Sequence, residues 1–554
     1  MLTRINTESK KSAAISGESH RNPGQTQRMT PSRHPSHATL TAPRDIRSDH
    51  LNGASMFGHV SSHYSSFIPR VSASRCGLAL LLGGIFTACD SDEEIPGPGP
   101  IGPKVSVCHV QGAVSTVTDI FLSELPSHKT HGDYVARLEV NPVSTPGDSI
   151  QFRRVTDALA VARAGRIARN EVERAGCRIT IVVAAGTFRA STAESSDPLV
   201  ERLPLVIDVP DITLKGALKM QVDAGGRATG VAEGGDVSTF APSPALILAG
   251  TSSRTAVSEK IIIINGHPDG PKGHGAVIEG FAFQSGRALA DTSTGGQAIY
   301  AMRVRDLTVR GNRFEGGFTS AMDLNASSGA VERNHLSGLG GGCDVCLAGP
   351  GEYAVRDNRI LGGGIAGVLI LPAVLVPSPP EVEPYTLPAT ALITAVVANN
   401  EVRDHLKKPV GVGLRIGAVG VGASSAAGAA KATFTGNNLV GNTFGIIVEG
   451  AFLNATDATR RKGDIELTTS GNTFSQNCQN DVLVTLSQSQ TGLGIASGPY
   501  LVNSTYNLSL GADIPWDKVW FAHAAGTGNT LIVNGQAIPN GSRRAYDATR
   551  ICNP

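Results

Sequence analysis

Apolar and polar residues repeat along the second half of the chain in a short phrase, an asparagine followed two positions later by an apolar residue. The phrase occurs six times, with its asparagines at Asn312, Asn334, Asn358, Asn400, Asn437 and Asn472. The first two intervals are 22 and 24 residues, and the later ones are 42, 37 and 35. Repeats of this length are typical of solenoids, whose coils bury an apolar face only by stacking on one another.

A coil of about 22 residues has room for three short strands and three turns. We expect the asparagines to form a ladder at one turn, because this side chain accepts turn conformations and bonds its neighbour's backbone. The sequence therefore predicts an all-β solenoid over 147–540 in which the asparagines are structural. The longer intervals predict inserted loops at Pro372–Thr390, Gly417–Ala430 and Phe452–Gly463. Insertions in solenoids often gather on one face and carry the binding function.

The region before the repeats predicts how the solenoid begins. Apolar spacing favours a helix from Val155 to about Ala175. Strands are predicted to follow at Ile179–Val183, Leu203–Val209, Ile212–Leu214 and Ile261–Ile264. Residues 218–260 are rich in Gly, Ala and Ser and predict an inserted loop with one strand, Ala245–Leu248.

The order of helix, strand, Gly186-Thr187-Phe188 and the run Leu203–Ala217 resembles the opening of right-handed parallel β-helices of the pectate-lyase-like type. The resemblance implies the same fold here, with the helix as an N-terminal cap over the first coil. Without such a cap, the strand edges of that coil would be open to association.

The N-terminal residues have the composition of a leader. Residues 1–55 are rich in Ser, His, Pro and Arg and cannot bury enough apolar surface to fold, so they predict a disordered leader or a mis-assigned start. Residues 56–88 join a basic stretch to the apolar run Gly77–Ala88, as in a secretory signal peptide. That run is too short to span a bilayer.

The four residues Phe86-Thr87-Ala88-Cys89 resemble a bacterial lipobox. The resemblance implies that Cys89 is lipidated and that the acidic, Pro- and Gly-rich residues 89–104 form a flexible tether. The alternative is an ordinary signal peptide cut near Ala88. Residues 541–554 are predicted to be a C-terminal tail.

Charge and cysteine usage narrow the possible partners. Residues 89–554 carry 38 basic and 43 acidic side chains and no basic stripe with interleaved aromatics, so we expect no nucleic acid partner. The six cysteines after Cys89 are an even number, which predicts disulfides in an exported chain. We predict the pairs Cys108 with Cys177, Cys343 with Cys346, and Cys478 with Cys552. A zinc or redox role for Cys343 and Cys346 is the alternative, although no further zinc ligands are evident nearby.

Residues 105–137 are predicted to form a small module. They contain Cys108-His109 and His131-Gly132-Asp133, and they resemble a Cys-His…His-Gly-Asp segment that recurs in secreted bacterial proteins. His128 and His131 are three residues apart, a spacing that can present two imidazoles to one metal. His109 and Asp133 would complete such a site. The alternative is that the histidines only form local hydrogen bonds.

The resemblance to β-helix proteins implies lyases, hydrolases or epimerases acting on acidic polysaccharides, as well as adhesins. A lyase would need a carboxylate-bound cation, for which Ca²⁺ is possible, and an Arg or Lys base; a hydrolase would need paired carboxylates. Strand alternation points Asp323 and Arg415 outward. Asp344 and Glu449 occupy nearby register positions, so counting of coils predicts that the four residues share one wall. The alternative is that these side chains are only solvated. No other cofactor is evident.

Three functions are compatible with the sequence. The first is an exported, lipid-anchored cell-envelope protein that binds polysaccharide or envelope partners through loops on one face. It would be an outer-membrane lipoprotein or a periplasmic or extracellular protein, touching the membrane only through its lipid. The second is a polysaccharide lyase or glycoside hydrolase acting on acidic glycans. The third is a purely structural envelope protein.

Overall fold

A computed structural model describes most of the chain from residue 102 onward. The described residues are 102–111, 114–143, 150–168, 177–191, 200–242, 260–266, 272–285, 296–340, 342–372, 391–406, 411–418, 428–450, 463–485, 503–523, 528–539, 541–543 and 552. The predicted leader, signal peptide and Cys89 lie outside these residues, as do Ala245–Leu248 and most of the three predicted insertions.

Three long sheets carry the described part of the chain, and each receives about one strand per coil; strands are numbered in chain order. Sheet I contains β4 Arg137–Val140, β5 Gln151–Phe152, β6 Ile179–Val183, β10 Ile212–Lys215, β15 Val277–Glu279, β18 Leu307–Arg310, β21 Gly329–Glu332, β24 Gly351–Arg356, β27 Ala391–Ala398, β30 Gly428–Thr435, β33 Ile465–Ser470, β36 Thr505–Ser509, β38 Thr530–Val533 and β39 Gln536–Ile538. Sheet II contains β7 Gly186–Ser191, β8 Val200–Arg202, β13 Ser238–Pro242, β16 Phe281–Gln284, β19 Arg313–Glu315, β22 His335–Ser337, β25 Arg359–Leu361, β28 Glu401–Arg403, β31 Asn438–Val440 and β34 Thr473–Ser475. Sheet III contains β9 Leu205–Ile207, β14 Lys260–Asn265, β17 Gln297–Met302, β20 Ser320–Asn325, β23 Cys343–Ala348, β26 Ala366–Leu371, β29 Val412–Gly417, β32 Phe444–Glu449, β35 Asn480–Thr485, β37 Val519–His523 and β40 Gly541–Arg543.

Smaller elements complete the fold. They are the sheet of β1 Lys104–Gln111, β2 Val114–Phe121 and β3 Tyr134–Val135, the hairpin of β11 Met220–Val222 and β12 Ala228–Ala232, the helices α1 Leu125–Thr130 and α2 Val155–Ala168, and the 3₁₀ turns Leu122–Glu124 and Trp516–Lys518. No helix in the part of the chain described here is long and apolar enough to cross a membrane.

Consecutive strands visit sheets I, II and III in turn, as β18, β19 and β20 do, and each pairs in parallel with the strand one coil further on. This arrangement is a right-handed parallel β-helix, and the predicted fold class is confirmed. Its bore is filled by alternate side chains of all three sheets. In sheet II the rings of Phe188, Phe240, Phe283 and Phe314 follow one another with centroids 5.8, 5.7 and 4.9 Å apart.

The six asparagines form the predicted ladder inside the coil. The backbone N–H and Nδ2 of Asn312 both donate to Oδ1 of Asn334, at 3.0 and 3.2 Å. The same two bonds join each later asparagine to the next, through to Asn472. Asn472 donates to the carboxylate of Asp513, which ends the ladder. Because all six side chains are buried, their role is structural.

Helix α2 covers the first coil, as the resemblance implied. It buries Val155, Ala158, Leu159 and Ala162. Its first N–H groups, those of Val155 and Thr156, donate to the carboxylate of Glu201 at 2.5 and 3.0 Å. A buried carboxylate at this end both caps the helix and complements its dipole.

The prediction of a simple loop after residue 218 was wrong over 218–242. The strand β13 belongs to sheet II, where Phe240 supplies the inward side chain. The hairpin β11–β12 lies against the outside of later coils, where Arg227 donates to the backbone and side-chain oxygens of Asn399 at 3.0 Å each. The Gly- and Ser-rich composition hid these strands, since β13 pairs with strands about 40 to 50 positions away and the hairpin rests on coils more than a hundred positions later.

The structure contains the three predicted disulfides. Cys108–Cys177 joins β1 to the start of the coil, Cys343–Cys346 lies on sheet III, and Cys478–Cys552 ties back the C-terminus. Their Cα atoms are 5.8, 5.3 and 5.6 Å apart, within the range of unforced disulfides.

Candidate functional site

The four charged residues proposed for catalysis all lie on sheet III, but the fold does not assemble them into one site. Asp323 and Arg415 share an outward column through the pairs Asp323 with Cys346, Cys346 with Leu369, and Leu369 with Arg415. Three strand spacings separate Asp323 from Arg415, which is about 14 Å. Glu449 lies a further strand along, so Asp323 and Glu449 are too far apart for the carboxylate pair of a glycosidase, which is separated by about 5 to 9.5 Å.

The outward face of sheet III is not solvated, contrary to the alternative considered from the sequence. A second apolar cluster lies on it, outside the main core, and includes Cys346, Leu369, Ile447, Leu483 and Trp520. Side chains of this column alternate with the inward ones and are nevertheless buried. The charged residues of this face therefore lie among apolar neighbours. Burial there costs folding free energy unless each charge is paired or hydrogen-bonded.

Asp323 is a buried carboxyl with a perturbed acidity. Its side chain is 1% exposed, and burial raises its pKa to about 6, although the Asn325 amide and the charge of Lys260 act in the opposite direction. Asn325 Nδ2 donates to Asp323 Oδ1 at 2.9 Å. The Lys260 ammonium lies 5.1 Å from the centroid of the Tyr300 ring, on the strand next to Asp323.

Asp344 points into the coil, so the expectation that it shares one wall with Asp323 and Arg415 was wrong. In β23 the flanking residues Cys343 and Val345 both keep register with β26, and the intervening Asp344 faces the turn that follows β28. There Asp344 Oδ2 lies 2.8 Å from His405 Nε2, with both side chains fully buried. Burial raises the pKa of Asp344, and His405 opposes the shift.

His405 was not singled out from the sequence. Its Nδ1 lies 3.1 Å from Oδ1 of Asn442, whose backbone N–H donates to Asn477 at 3.2 Å. These three residues each follow a ladder asparagine by five positions, a spacing that could have identified them. The Asp344–His405 pair thus belongs to a second, shorter ladder at another turn.

Arg415 and Glu449 form a bidentate ion pair. The Nε and Nη2 atoms of Arg415 lie 2.7 Å from the two carboxylate oxygens of Glu449. The side chains are 12% and 1% exposed. A guanidinium held in this fork is occupied by its partner and is a poor candidate for a catalytic base.

The predicted metal ligands are brought together in part. The ligand atoms of His109, His128 and Asp133 all lie within 4.8 Å of one another. His131 lies outside this group, and its side chain is exposed. The structure therefore supports three of the four residues as one cluster.

A groove at the end of the sheet I strands is a feature that sequence reasoning missed. Its volume is about 400 Å³, within the usual range for ligand sites. One wall carries a ladder of charges in which Arg310 Nε donates to Glu279 at 2.7 Å and Lys215 Nζ lies 3.4 Å from the same carboxylate. Glu332 continues the ladder and bonds Arg356 Nε at 2.7 Å.

Apolar side chains and glycines also line the groove. The apolar ones include Leu218, Met220 and Val222. Gly216 and Gly280 belong to the same lining, and a Cβ on Gly216 would lie 2.1 Å from the Gly280 carbonyl oxygen. Charged residues followed by glycine, at Lys215, Glu279 and Arg310, are the sequence signal for this groove.

Comparisons with solved structures found distant similarities. The chain is similar to an exopolygalacturonase from Thermotoga maritima, at 11% identity and a TM-score of 0.39 over 74% of this chain and 94% of that one. It is also similar to the A-module of mannuronan C-5 epimerase AlgE4 from Azotobacter vinelandii, at 12% identity and a TM-score of 0.29 over 68% and 89%. A third similar structure is a tailspike protein of an E. coli bacteriophage, solved with a pentasaccharide. Its identity is 12% and its TM-score 0.25, over 78% of this chain and 82% of that one.

At these identities and TM-scores the likeness identifies no activity for this chain. No protein-family model and no curated protein sequence matches the chain.

Proposed function

We propose that this chain is an exported, lipid-anchored protein of the cell envelope that binds an acidic polysaccharide in the groove beside sheet I. The observation that supports this proposal is the composition of the groove. Its lining includes four basic side chains, Lys215, Lys219, Arg310 and Arg333, against two acidic ones, Glu279 and Glu332. The excess of positive charge favours a polyanion.

A carbohydrate fits the mixed charged and apolar lining of the groove. A sugar ring presents an apolar face of C–H groups and an edge of hydroxyl or carboxylate groups. The first matches Met220 and Val222, and the second matches the basic side chains of the lining, among which the exposed Arg333 can bind a uronate carboxylate bidentately. Export, lipidation at Cys89 and placement in the outer membrane, the periplasm or outside the cell belong to the same proposal, on the grounds of the leader sequence.

The test is affinity electrophoresis of the purified protein through gels containing uronate-rich or neutral polysaccharides. The variant Lys215→Gln/Arg310→Gln should lose most of its retardation in the uronate gels. The matched control is Lys431→Gln, which removes a half-exposed lysine of the same sheet, paired with Glu466 at 2.8 Å but far along the coil. Equal retardation of all three proteins would refute binding in this groove, and free migration in every gel would favour a purely structural role.

An enzyme acting on acidic glycans is the second candidate, because of Asp323. A carboxyl with a pKa of about 6 can hold a proton for general acid catalysis near neutral pH. The same polysaccharides should then be screened for new reducing ends and unsaturated sugars, with Asp323→Asn as the inactive variant. Product formed equally by the protein and this variant would remove Asp323 from consideration.

A further inference from the structure

The cluster of His109, His128 and Asp133 lies in the small β1–β3 module, away from the groove. His109 Nδ1 lies 2.7 Å from Asp133 Oδ2, and His128 Nδ1 lies 2.8 Å from the same oxygen. The Asp133 side chain is 1% exposed, and the two histidines are 31% and 25% exposed. A buried carboxylate is thus flanked by two imidazoles that reach the surface.

Three separate elements fix these side chains in place. His109 is on β1, next to Cys108, whose disulfide to Cys177 anchors the strand. His128 is in the last turn of α1. Asp133 directly precedes β3, whose first residue Tyr134 pairs with Cys108.

After α1 the chain turns back, so that Asp133 faces this helix. The N–H groups of His131 and Asp133 donate to the His128 carbonyl oxygen at 3.1 and 3.0 Å, and that of Gly132 donates to Lys129 at 3.0 Å. Gly132 has a φ of +83°, the left-handed conformation that a glycine readily adopts after a helix. The same turn directs His131 to the outside.

We propose that His109, His128 and Asp133 bind a divalent transition-metal ion, with Zn²⁺ as the best match. Two imidazole nitrogens and one carboxylate oxygen are a ligand set that zinc accepts, whereas Ca²⁺ prefers oxygen ligands alone. Zinc bonds of about 2.0–2.2 Å set neighbouring tetrahedral ligand atoms about 3.3 Å apart. The observed separations, 2.7 and 2.8 Å and at most 4.8 Å, bracket that value, so small side-chain rotations admit the ion.

Three protein ligands leave the fourth tetrahedral position open. Because both histidines are partly exposed, that position faces solvent and takes a water molecule or an external ligand. On binding, each Nδ1 gives its lone pair to the metal and the ring proton resides on Nε2. Asp133 supplies the negative charge that offsets half of the charge of the ion.

The test is zinc titration of the full chain by calorimetry, with His131→Ala as the matched control. The protein and His131→Ala should each take up one equivalent more than His109→Ala, His128→Ala and Asp133→Asn, or bind that equivalent at least about tenfold more tightly. Comparing variants cancels any zinc held by the histidines of residues 1–88. Cobalt bound at this site should give visible absorption bands of a tetrahedral ion that the three ligand variants lack.

Correct folding of each variant is checked by its far-UV circular dichroism spectrum, which should match that of the unaltered protein. Equal uptake by the protein and the folded His109→Ala variant would overturn the proposal. So would a loss in His131→Ala as large as that in His128→Ala. Zinc uptake that Ca²⁺ displaces at equal concentration would likewise contradict a histidine-based site.

Discussion

At the scale of single residues, the described charges on sheet III are held by partners. Arg415 is engaged by Glu449 and Asp344 by His405, while Asp323 lies near Lys260 and Asn325. Removing a charge from water costs several kcal/mol unless such partners offset it. These residues were chosen from the sequence because they are charged. In the structure their charged groups are largely engaged by neighbouring side chains.

Asp323 should make the stability of the protein depend on pH. Its native pKa of about 6 exceeds the value of about 3.9 in an unfolded chain, so between these pH values the native state holds the additional proton. The free energy of unfolding should therefore fall as pH rises from 4 to 6, by up to about 3 kcal/mol from this group.

The measurement is urea denaturation of the protein and of Asp323→Asn between pH 4 and pH 7. Other groups titrate alike in both proteins, so the difference in their unfolding free energies isolates Asp323. The unfolding free energy of the protein minus that of the variant should decrease as pH rises. It should become negative, so that the variant is then the more stable of the two. A difference that stays constant across the range would contradict the assigned acidity.

At the scale of elements, the asparagine ladder depends on the residue that precedes each rung. Gly311, Arg333, Asp357, Asn399, Gly436 and Gly471 each stand one position before a ladder asparagine, and all have φ between +51° and +63°. This left-handed turn lets the next side chain point into the coil rather than away from it. The ladder is therefore a property of a two-residue turn and not of asparagine alone.

Replacing Asn358 by alanine should destabilise the coil by about 4 kcal/mol. The change removes the Nδ2 bonds to Asn400 Oδ1 and to the Val331 carbonyl, each 2.9 Å, and the Oδ1 that accepts from Asn334. Each buried group left without a partner costs about 1–3 kcal/mol.

The control for this change is Asn438→Ala, next to a ladder asparagine but on the partly exposed outer face, where it accepts a bond from Thr473 at 2.9 Å. We expect it to cost less than about 1 kcal/mol. Urea denaturation compares the two variants. Similar costs would mean that the buried ladder contributes no more than an exposed hydrogen bond.

At the scale of the whole molecule, stability comes from stacking, and the disulfides act where stacking ends. Cys108–Cys177 spans 69 positions of sequence at the beginning of the coil, and Cys478–Cys552 spans 74 at its end. Cys343–Cys346 spans only 3. The outermost coils have a neighbour on one side only, so a crosslink there replaces packing that the interior coils obtain from both sides.

Removing a terminal crosslink should cost more than removing the short one. Chain entropy gives about 4 kcal/mol for a loop of about 70 residues and about 2 kcal/mol for the shortest loops. The variants Cys108→Ser/Cys177→Ser and Cys343→Ser/Cys346→Ser compare them by urea denaturation under oxidising conditions. An equal or larger loss for the second pair would mean that its apolar surroundings on sheet III, and not loop length, set the cost.

The sequence by itself determined the architecture, because a recurring Asn-x-apolar phrase has one physical use, a stack of coils with its asparagines in register. It also determined the cap, since the helical spacing at Val155 precedes the first strand. The three predicted disulfide pairs are also present, although six cysteines allow 15 pairings and their spacing does not choose among them.

Only the tertiary structure decided which side chains meet. Asp344 faces inward, and His405 reaches it from 61 residues away. The groove joins Lys215 to Arg310 across three coils, and the turn after α1 selects His109 and Asp133 over His131. Such contacts depend on the face to which each strand residue points and on the direction of a single turn. The spacing of residues along the chain does not encode either.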